Sequence, residues 1–498
     1  MNSLISAVMR IIPFKASQVT ELHQVFQHFA ARPWSILLDS SNSDHVDSHF
    51  DILVSAPIAT IETTGDDSKI CFASGIAAPT GFNLAEQDDP IGLLHRLSQT
   101  LLGHADVSEL AKFGLPFGCG AVGYYGYDLG RRFERDSLLP RPQYSTPDMA
   151  QGIYSWSLLK DKHNGIIYFC YLPGYPHPSE KDVADWLHST SAQENTSQTS
   201  QTPFSLSGHW HSNLNKDNYL SKMAQIDNYL RAGDCYQVNF AQRFHASYQG
   251  DEYQAYLALR QANRAPFSAF IRLPQSAILS ISPERFLQVK QDKVQTKPIK
   301  GTRPRYLDPI QDQQAADELQ HAEKDRAENL MIVDLLRNDV SKHCQPGSVN
   351  VPNLFAIESF PAVHHLVSTV VGELNQESTS LNLLRDAFPG GSITGAPKIR
   401  AMQIIDELEP DARNIYCGSI GYLSVNGDMD TNICIRTLLC EQGTVYCWAG
   451  GGIVLDSDAD AEYQETLDKV AKILPVLEQS SSIQRDDYDT EHGQRDIS

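Results

Sequence analysis

Apolar and polar positions along the first third of the chain fall into short runs of strand character. Trp34-Ser-Ile-Leu-Leu and Gly165-Ile-Ile-Tyr-Phe-Cys-Tyr-Leu are rich in β-branched and aromatic residues and are bounded by polar or turn-forming ones. The pattern changes after residue 213. Residues 216–232 read as a helix, closed by Gly233-Asp234. Apolar runs then predict strands at 277–281, 286–289 and 294–297, a second long helix over about 314–337, and a group of strands from 418 to 454. Runs of strands with separate helices, in place of a regular strand–helix alternation, predict an α+β protein with antiparallel sheets.

Two stretches interrupt this pattern. Residues 189–203 carry no large apolar side chain and read as a linker or long loop, and 479–498 are similarly polar. The expected organisation is an N-terminal part at 1–188, a polar linker at 189–213, a larger C-terminal domain at 214–475 and a polar tail at 476–498.

Composition narrows the class. The 498 residues, 41% apolar and 20% charged, are ordinary for a globular protein. A net charge of −21 opposes binding to nucleic acid, which needs clustered Lys and Arg. The nine cysteines form no C-x-x-C pair, so reduced thiols are the simplest account. The chain start lacks a basic segment followed by a long apolar one, and no window approaches about 18 consecutive apolar residues. A cytoplasmic protein without a membrane segment is the expectation.

Several segments carry chemistry. Lys300 stands in Thr296-Lys-Pro-Ile-Lys-Gly-Thr-Arg-Pro-Arg, where Pro and Gly predict a tight turn ending a strand; it is either a surface charge or a nucleophile. Sixteen residues earlier, Ser282-Pro-Glu-Arg-Phe holds a lone carboxylate, Glu284, in an apolar setting. Asp325 and Glu328 share one helix face, and so do Glu462 and Glu465. Each pair is either a solvated acidic face or half of a hard-cation site of the Mg²⁺ kind. Phe388-Pro-Gly-Gly-Ser-Ile-Thr-Gly-Ala-Pro-Lys enters a helix, and Ala449-Gly-Gly-Gly-Ile-Val lies next to a strand. Each is a tight turn or an anion-binding backbone; neither fits the phosphate-loop or dinucleotide patterns. Gly118-Cys119-Gly120 lacks the setting of a nucleophile elbow and reads as a buried small residue.

Together, these segments resemble the family of chorismate-utilising enzymes. The resemblance is dense from about 214 to 475. It is carried by Cys235-Tyr-Gln-Val-Asn-Phe, Ser282-Pro-Glu-Arg-Phe, Pro298-Ile-Lys-Gly-Thr-Arg-Pro-Arg, Asp325-Arg-Ala-Glu-Asn, Val363-His-His-Leu-Val-Ser, Gly390-Gly-Ser-Ile-Thr-Gly-Ala-Pro-Lys, Cys417-Gly-Ser-Ile-Gly-Tyr, Ile435-Arg-Thr and Ala449-Gly-Gly-Gly-Ile-Val. It extends to Pro33-Trp-Ser-Ile-Leu-Leu-Asp-Ser and Gly126-Tyr-Asp-Leu-Gly-Arg-Arg in the N-terminal part.

The resemblance implies an antiparallel β-sandwich wrapped by helices, with the active site in the cleft between the layers. It also implies the branch that aminates chorismate at C4, on the way to p-aminobenzoate and folate. In that branch Lys300 adds to C2 and Glu284 protonates the departing C4 hydroxyl. Ammonia then attacks C4, giving 4-amino-4-deoxychorismate. Thr302 and His365 are implied beside the reacting ring, although alone an apolar-run histidine is more often a satisfied core residue. Arg436, Lys398, Tyr422 and the Gly450, Gly451 and Gly452 amides are implied as carboxylate partners, and Glu328 and Glu465 as Mg²⁺ ligands with Asp325 and Glu462 at metal-bound water.

Two positions separate this branch from its neighbours. Anthranilate synthases typically carry alanine where Lys300 stands. Isochorismate and salicylate synthases usually carry a lysine base where Gln237 stands, and a neutral amide cannot act as that base. No glutaminase domain is visible, so a glutamine amidotransferase subunit is the expected partner and ammonia source. A tryptophan pocket is implied at Ser40, Asp47, Ser48, His49, Phe50, Pro266, Phe267 and Ser268, with Asp47 departing from the aromatic seen in some relatives. The competing readings are anthranilate synthase component I and a non-catalytic aromatic-ligand-binding regulator of the same fold.

Overall fold

The computed structural model describes residues 7–15, 21–41, 45–79, 89–134, 141, 143–192, 202–359 and 363–479. The predicted linker is therefore described only at its two ends, and the tail beyond 479 lies outside the described residues, as do the first six residues.

Two large antiparallel sheets dominate, of 13 and 11 strands among the described residues. Both draw strands from either side of the polar segment near 200. In the first sheet Ser35–Asp39 pairs with Phe267–Arg272. In the second, Gly120–Tyr125 pairs with Ser419–Ser424. The two halves of the chain thus share their backbone hydrogen bonding.

The core follows from period-two alternation within buried strands. Ile36 joins the cluster between the sheets, with Val54, Val122 and Ile153, while its neighbour Leu37 joins Phe26, Tyr253 and Tyr256 under the outer helices. A sheet covered on both faces reads as continuous apolar sequence, which is why these strands are visible as apolar runs. A third cluster seats helices Lys216–Ala232 and Lys398–Leu408 on strand Gln237–Gln249. The first of these helices ends as predicted: Asn215 caps its start and Gly233, at φ 78°, its end.

The crossings between sheets position the chemistry. Strand Ser276–Ser282 belongs to the first sheet and Arg285–Lys290 to the second, so Glu284 stands where the chain passes from one to the other. Arg436 occupies the return crossing, between Met429–Asn432 and Thr437–Glu441, in left-handed backbone at φ 51°.

Three predicted elements differ. The long helix expected over 314–337 is two, Pro309–His321 and Glu323–Ser341, separated at Ala322 with ψ 110°. The break starts a new helix at Glu323, placing Glu323 and Asp325 in its first turn, where amide dipoles favour negative charge, and Glu328 one turn further on. Lys300 lies inside edge strand Ile299–Pro304, not on a turn. The Gly450–Gly452 triplet lies within strand Thr444–Ile453, not beside it.

Candidate active site

Strand Ile299–Pro304 pairs with Val363–Glu373, and its register slips by one residue between Lys300 and Thr302. Gly301 is the extra residue of this bulge, with φ 74°. A Cβ there would meet Leu319 at 2.8 Å and the Asp325 carboxyl carbon at 2.9 Å. The bulge re-aims Lys300 while keeping Thr302 opposite His365, whose Nδ1 is 2.9 Å from Thr302 Oγ1.

Lys300 is half-buried, and its Nζ donates to the Ser392 carbonyl at 3.2 Å. Burial holds its amine below the ordinary lysine value. Glu328 and Glu284 pull the other way, and Lys469 adds to the depression. Glu284 is 5% exposed, and burial pushes its carboxyl up to about 7, against the opposing pull of Lys300. A buried acid and a half-buried amine joined through Ser392, each shifted toward its neutral form, suit a proton donor and a nucleophile working near neutral pH.

His365 is driven down to about 3 by burial and by the nearby Arg436 guanidinium, so near neutral pH it is a neutral imidazole. Arg436 is itself lowered by burial, and its side chain has no hydrogen-bond or ion-pair partner among the described residues. An unpaired, half-buried guanidinium is costly and suits a carboxylate ligand. The buried Gln237 Oε1 is also without a partner. The Gln237 amide fills the space a Cβ on Gly452 would need, and one on Gly451 would stand 3.0 Å from Glu462 Oε2. Glycines here let the strand backbone reach both groups.

Acidic residues of helices Glu323–Ser341 and Ala459–Val470 come close enough for Glu462 to act on Glu328 and for Lys324 to reach Glu462 at 3.8 Å. Glu328 is raised by burial, and Glu462 and Asp325 push it further up. Burial works likewise on Glu462, which accepts from Ser457 Oγ at 2.7 Å. Glu465, exposed on its helix, is net lowered: partial desolvation raises it, and Lys469 at 2.6 Å lowers it by more. Asp325 accepts from Arg303 at 3.3 Å. Among the described residues, no three of these carboxylates bring oxygens within 4.8 Å of one another. Their oxygen-only donor set is the kind a hydrated Mg²⁺ takes, and Lys469 and Lys324 lie against Glu465 and Glu462.

Two of the expected substrate contacts belong elsewhere. Lys398 Nζ is held by Asp339 and by the Ala387 carbonyl, both at 2.9 Å, so its charge is spent inside the fold. Tyr422 pairs in register with Asp430 and lines a separate cavity of about 240 Å³. That cavity gathers Asp47, His49, Phe50, Pro266, Phe267 and Ser268 of the expected tryptophan pocket. Ser40 and Ser48 do not line it. Ser40 is turned to Asp51, donating to it at 2.6 Å. Asp47 accepts from Arg285 at 2.6 Å and Lys297 at 3.0 Å, forming an ion-paired wall.

Sequence reasoning passed over two residues. Lys469 donates to the Gly450 carbonyl at 2.7 Å and reaches the Lys300 surroundings; its position four residues after Glu465 on one helix face was a readable signal. Ser392 touches both Lys300 and Glu284; it lies in the Gly390-Gly-Ser-Ile-Thr-Gly segment, where the pattern pointed to backbone and not to this side chain.

Buried acid and amine at the seam of two antiparallel sheets, an unpaired arginine and facing acidic helices define a site for a small carboxylate substrate. The chorismate binding enzyme family matches residues 36–475, and the chain belongs to that family. Over 453 residues the chain is 50% identical to aminodeoxychorismate synthase component 1 of Escherichia coli (strain K12), covering 91% of this chain and 95% of that one. It is 32% identical to anthranilate synthase component 1 of Geobacillus stearothermophilus, covering 95% of each. The crystal structure of anthranilate synthase component I from Streptococcus pneumoniae TIGR4 superposes with a TM-score of 0.72 at 30% identity, over 86% of this chain and 93% of that one.

Proposed function

We propose that this chain converts chorismate and ammonia to 4-amino-4-deoxychorismate. The observation that carries this reading is Lys300, an amine beside the protonatable Glu284 in a buried site. The neutral Lys300 amine adds at C2, while Glu284 gives its proton to the C4 oxygen, which leaves as water. Ammonia then adds at C4 and expels the lysine, so the enzyme's own amine directs nitrogen away from C2. Arg436 grips one substrate carboxylate, and the neutral His365 and Thr302 border the ring. Glu328 and Glu465, with Asp325 and Glu462 reaching bound water, would hold Mg²⁺, which would supply charge neutralisation at the other carboxylate.

The relatives of about 50% identity are named component 1, which supports a second component as partner. We assign that role to a glutamine amidotransferase delivering ammonia. Cysteines that are all free among the described residues suit the reducing cytoplasm. No helix of the described residues is long and apolar enough to cross a membrane.

Purified chain incubated with chorismate, ammonium and Mg²⁺ is expected to yield 4-amino-4-deoxychorismate. Anthranilate as the product supports the rival amination at C2. No turnover, with or without a glutaminase subunit, supports a binding protein of the same fold.

A further inference from the structure

Ser392 occupies the 3₁₀ turn Gly391–Ile393, between nucleophile and acid. Its carbonyl accepts from Lys300 Nζ at 3.2 Å, and its hydroxyl donates to Glu284 Oε1 at 3.4 Å. Across residues 390–394 the other carbonyls are taken by fixed donors. Thr394 Oγ1 binds those of Gly390, at 3.0 Å, and Gly391, at 3.4 Å. Arg413 binds that of Ile393 at 3.1 Å, and the Asn239 amide that of Thr394 at 2.9 Å. Only the Ser392 carbonyl is given to a reacting group. The turn is also packed tightly from outside: a Cβ on Gly391 would run into Leu335 of helix Glu323–Ser341.

We propose that Ser392 is a positioning residue that stabilises, from one rigid turn, both charges created when the covalent bond to substrate forms. This rests on the lysine-adduct reading above. In that step the Lys300 lone pair becomes the N–C2 bond. The C1=C2 pair moves to C1–C6, the C5=C6 pair moves to C4–C5, and the C4–O pair leaves with oxygen. That oxygen takes the Glu284 proton and departs as water. Nitrogen gains a positive charge and Glu284 a negative one. The Ser392 carbonyl faces the first and its hydroxyl faces the second, with no reorganisation needed as the charges appear. Before the step, one N–H held by the carbonyl turns the amine lone pair away from the loop. The charged side chains facing Glu284 are Lys300 and Lys469, and both act on it through charge, whereas Ser392 supplies its side-chain hydrogen bond.

The test is the single-turnover rate of adduct formation across pH, read by quenched intact mass with chorismate present and ammonia omitted. Ser392→Ala keeps the carbonyl and deletes the hydroxyl. The adduct should form about tenfold more slowly, the low end for a hydrogen bond to a charged group. The alkaline fall in rate should move up by roughly one pH unit, because the carboxylate has lost a donor. Ser392→Thr should restore rate and profile. Ser392→Cys, which fills the volume with a weak donor, should behave like Ser392→Ala and serves if the alanine variant folds poorly. A merely structural role would leave the alkaline limb in place. Adduct formation within about twofold of wild type, on an unmoved profile, overturns the role of Ser392 alone. Absence of any adduct in the wild-type protein overturns the lysine mechanism and this role with it.

Discussion

Replacing Glu284 by glutamine should lower activity and raise stability at the same pH, because one cause underlies both. Burial pushes this carboxyl from 4.5 to about 7. The interval corresponds to roughly 3 kcal/mol of preference for the protonated form. At pH 7 about half of the molecules hold the proton, against roughly one in 300 for an unshifted acid. Glutamine keeps the shape and cannot transfer a proton, so kcat should fall by about 10²–10⁴. The decline of kcat/KM above about pH 7 should vanish from whatever activity is left.

The stability effect has a definite sign. A carboxyl whose folded pKa lies above its unfolded one binds more protons when folded, so wild-type stability declines as pH rises from about 4 through 7. Glutamine escapes that penalty. Thermal or urea unfolding should therefore show Glu284→Gln more stable than wild type by up to about 3 kcal/mol above pH 7, with the gain fading below about pH 5. An alkaline limb still near pH 7 in the glutamine variant would show that another group is the acid. A stability gain independent of pH would show that Glu284 is not held protonated by the fold.

Gly301→Ala places a Cβ in left-handed backbone against Leu319 and Asp325. It should cost about 1–2 kcal/mol in urea unfolding, with a loss in kcat of more than about tenfold because Lys300 is misdirected; a kcat loss no larger than the stability loss explains would refute the role of the bulge. Glu328→Ala should shift the Mg²⁺ activation curve to higher concentration by about tenfold or more, and an unaltered metal titration would remove Glu328 from the ion.

Much of the scaffold was legible because both faces of its central strands are buried. Ile278, Leu279 and Ile281 are fully covered and leave an apolar run interrupted only by the buried Ser280. The break at Ala322 was not legible, since alanine favours helix and nothing in the local sequence signals a stop there. Pro298 and Gly301 looked like the frame of a turn, yet Gly301 serves a bulge, which depends on its partner strand. Lys398 and Tyr422 were misplaced for a related reason. Each adjoins a glycine-rich segment, but the partner of Lys398 is Asp339, 59 residues away in sequence. The partners of Tyr422 follow from strand register. Glu284 and Lys300 were readable as chemistry. That Glu284 sits at a crossing between two sheets required the topology.

Whether Lys300 forms a bond to substrate is most directly tested by the intact mass of protein mixed with chorismate in the absence of ammonia and quenched in acid. The account predicts an added mass of chorismate less one water, mapped to Lys300, absent from Lys300→Ala and discharged when ammonium is added. Steady turnover to 4-amino-4-deoxychorismate with no such adduct, or an adduct that persists in Lys300→Ala, would contradict it.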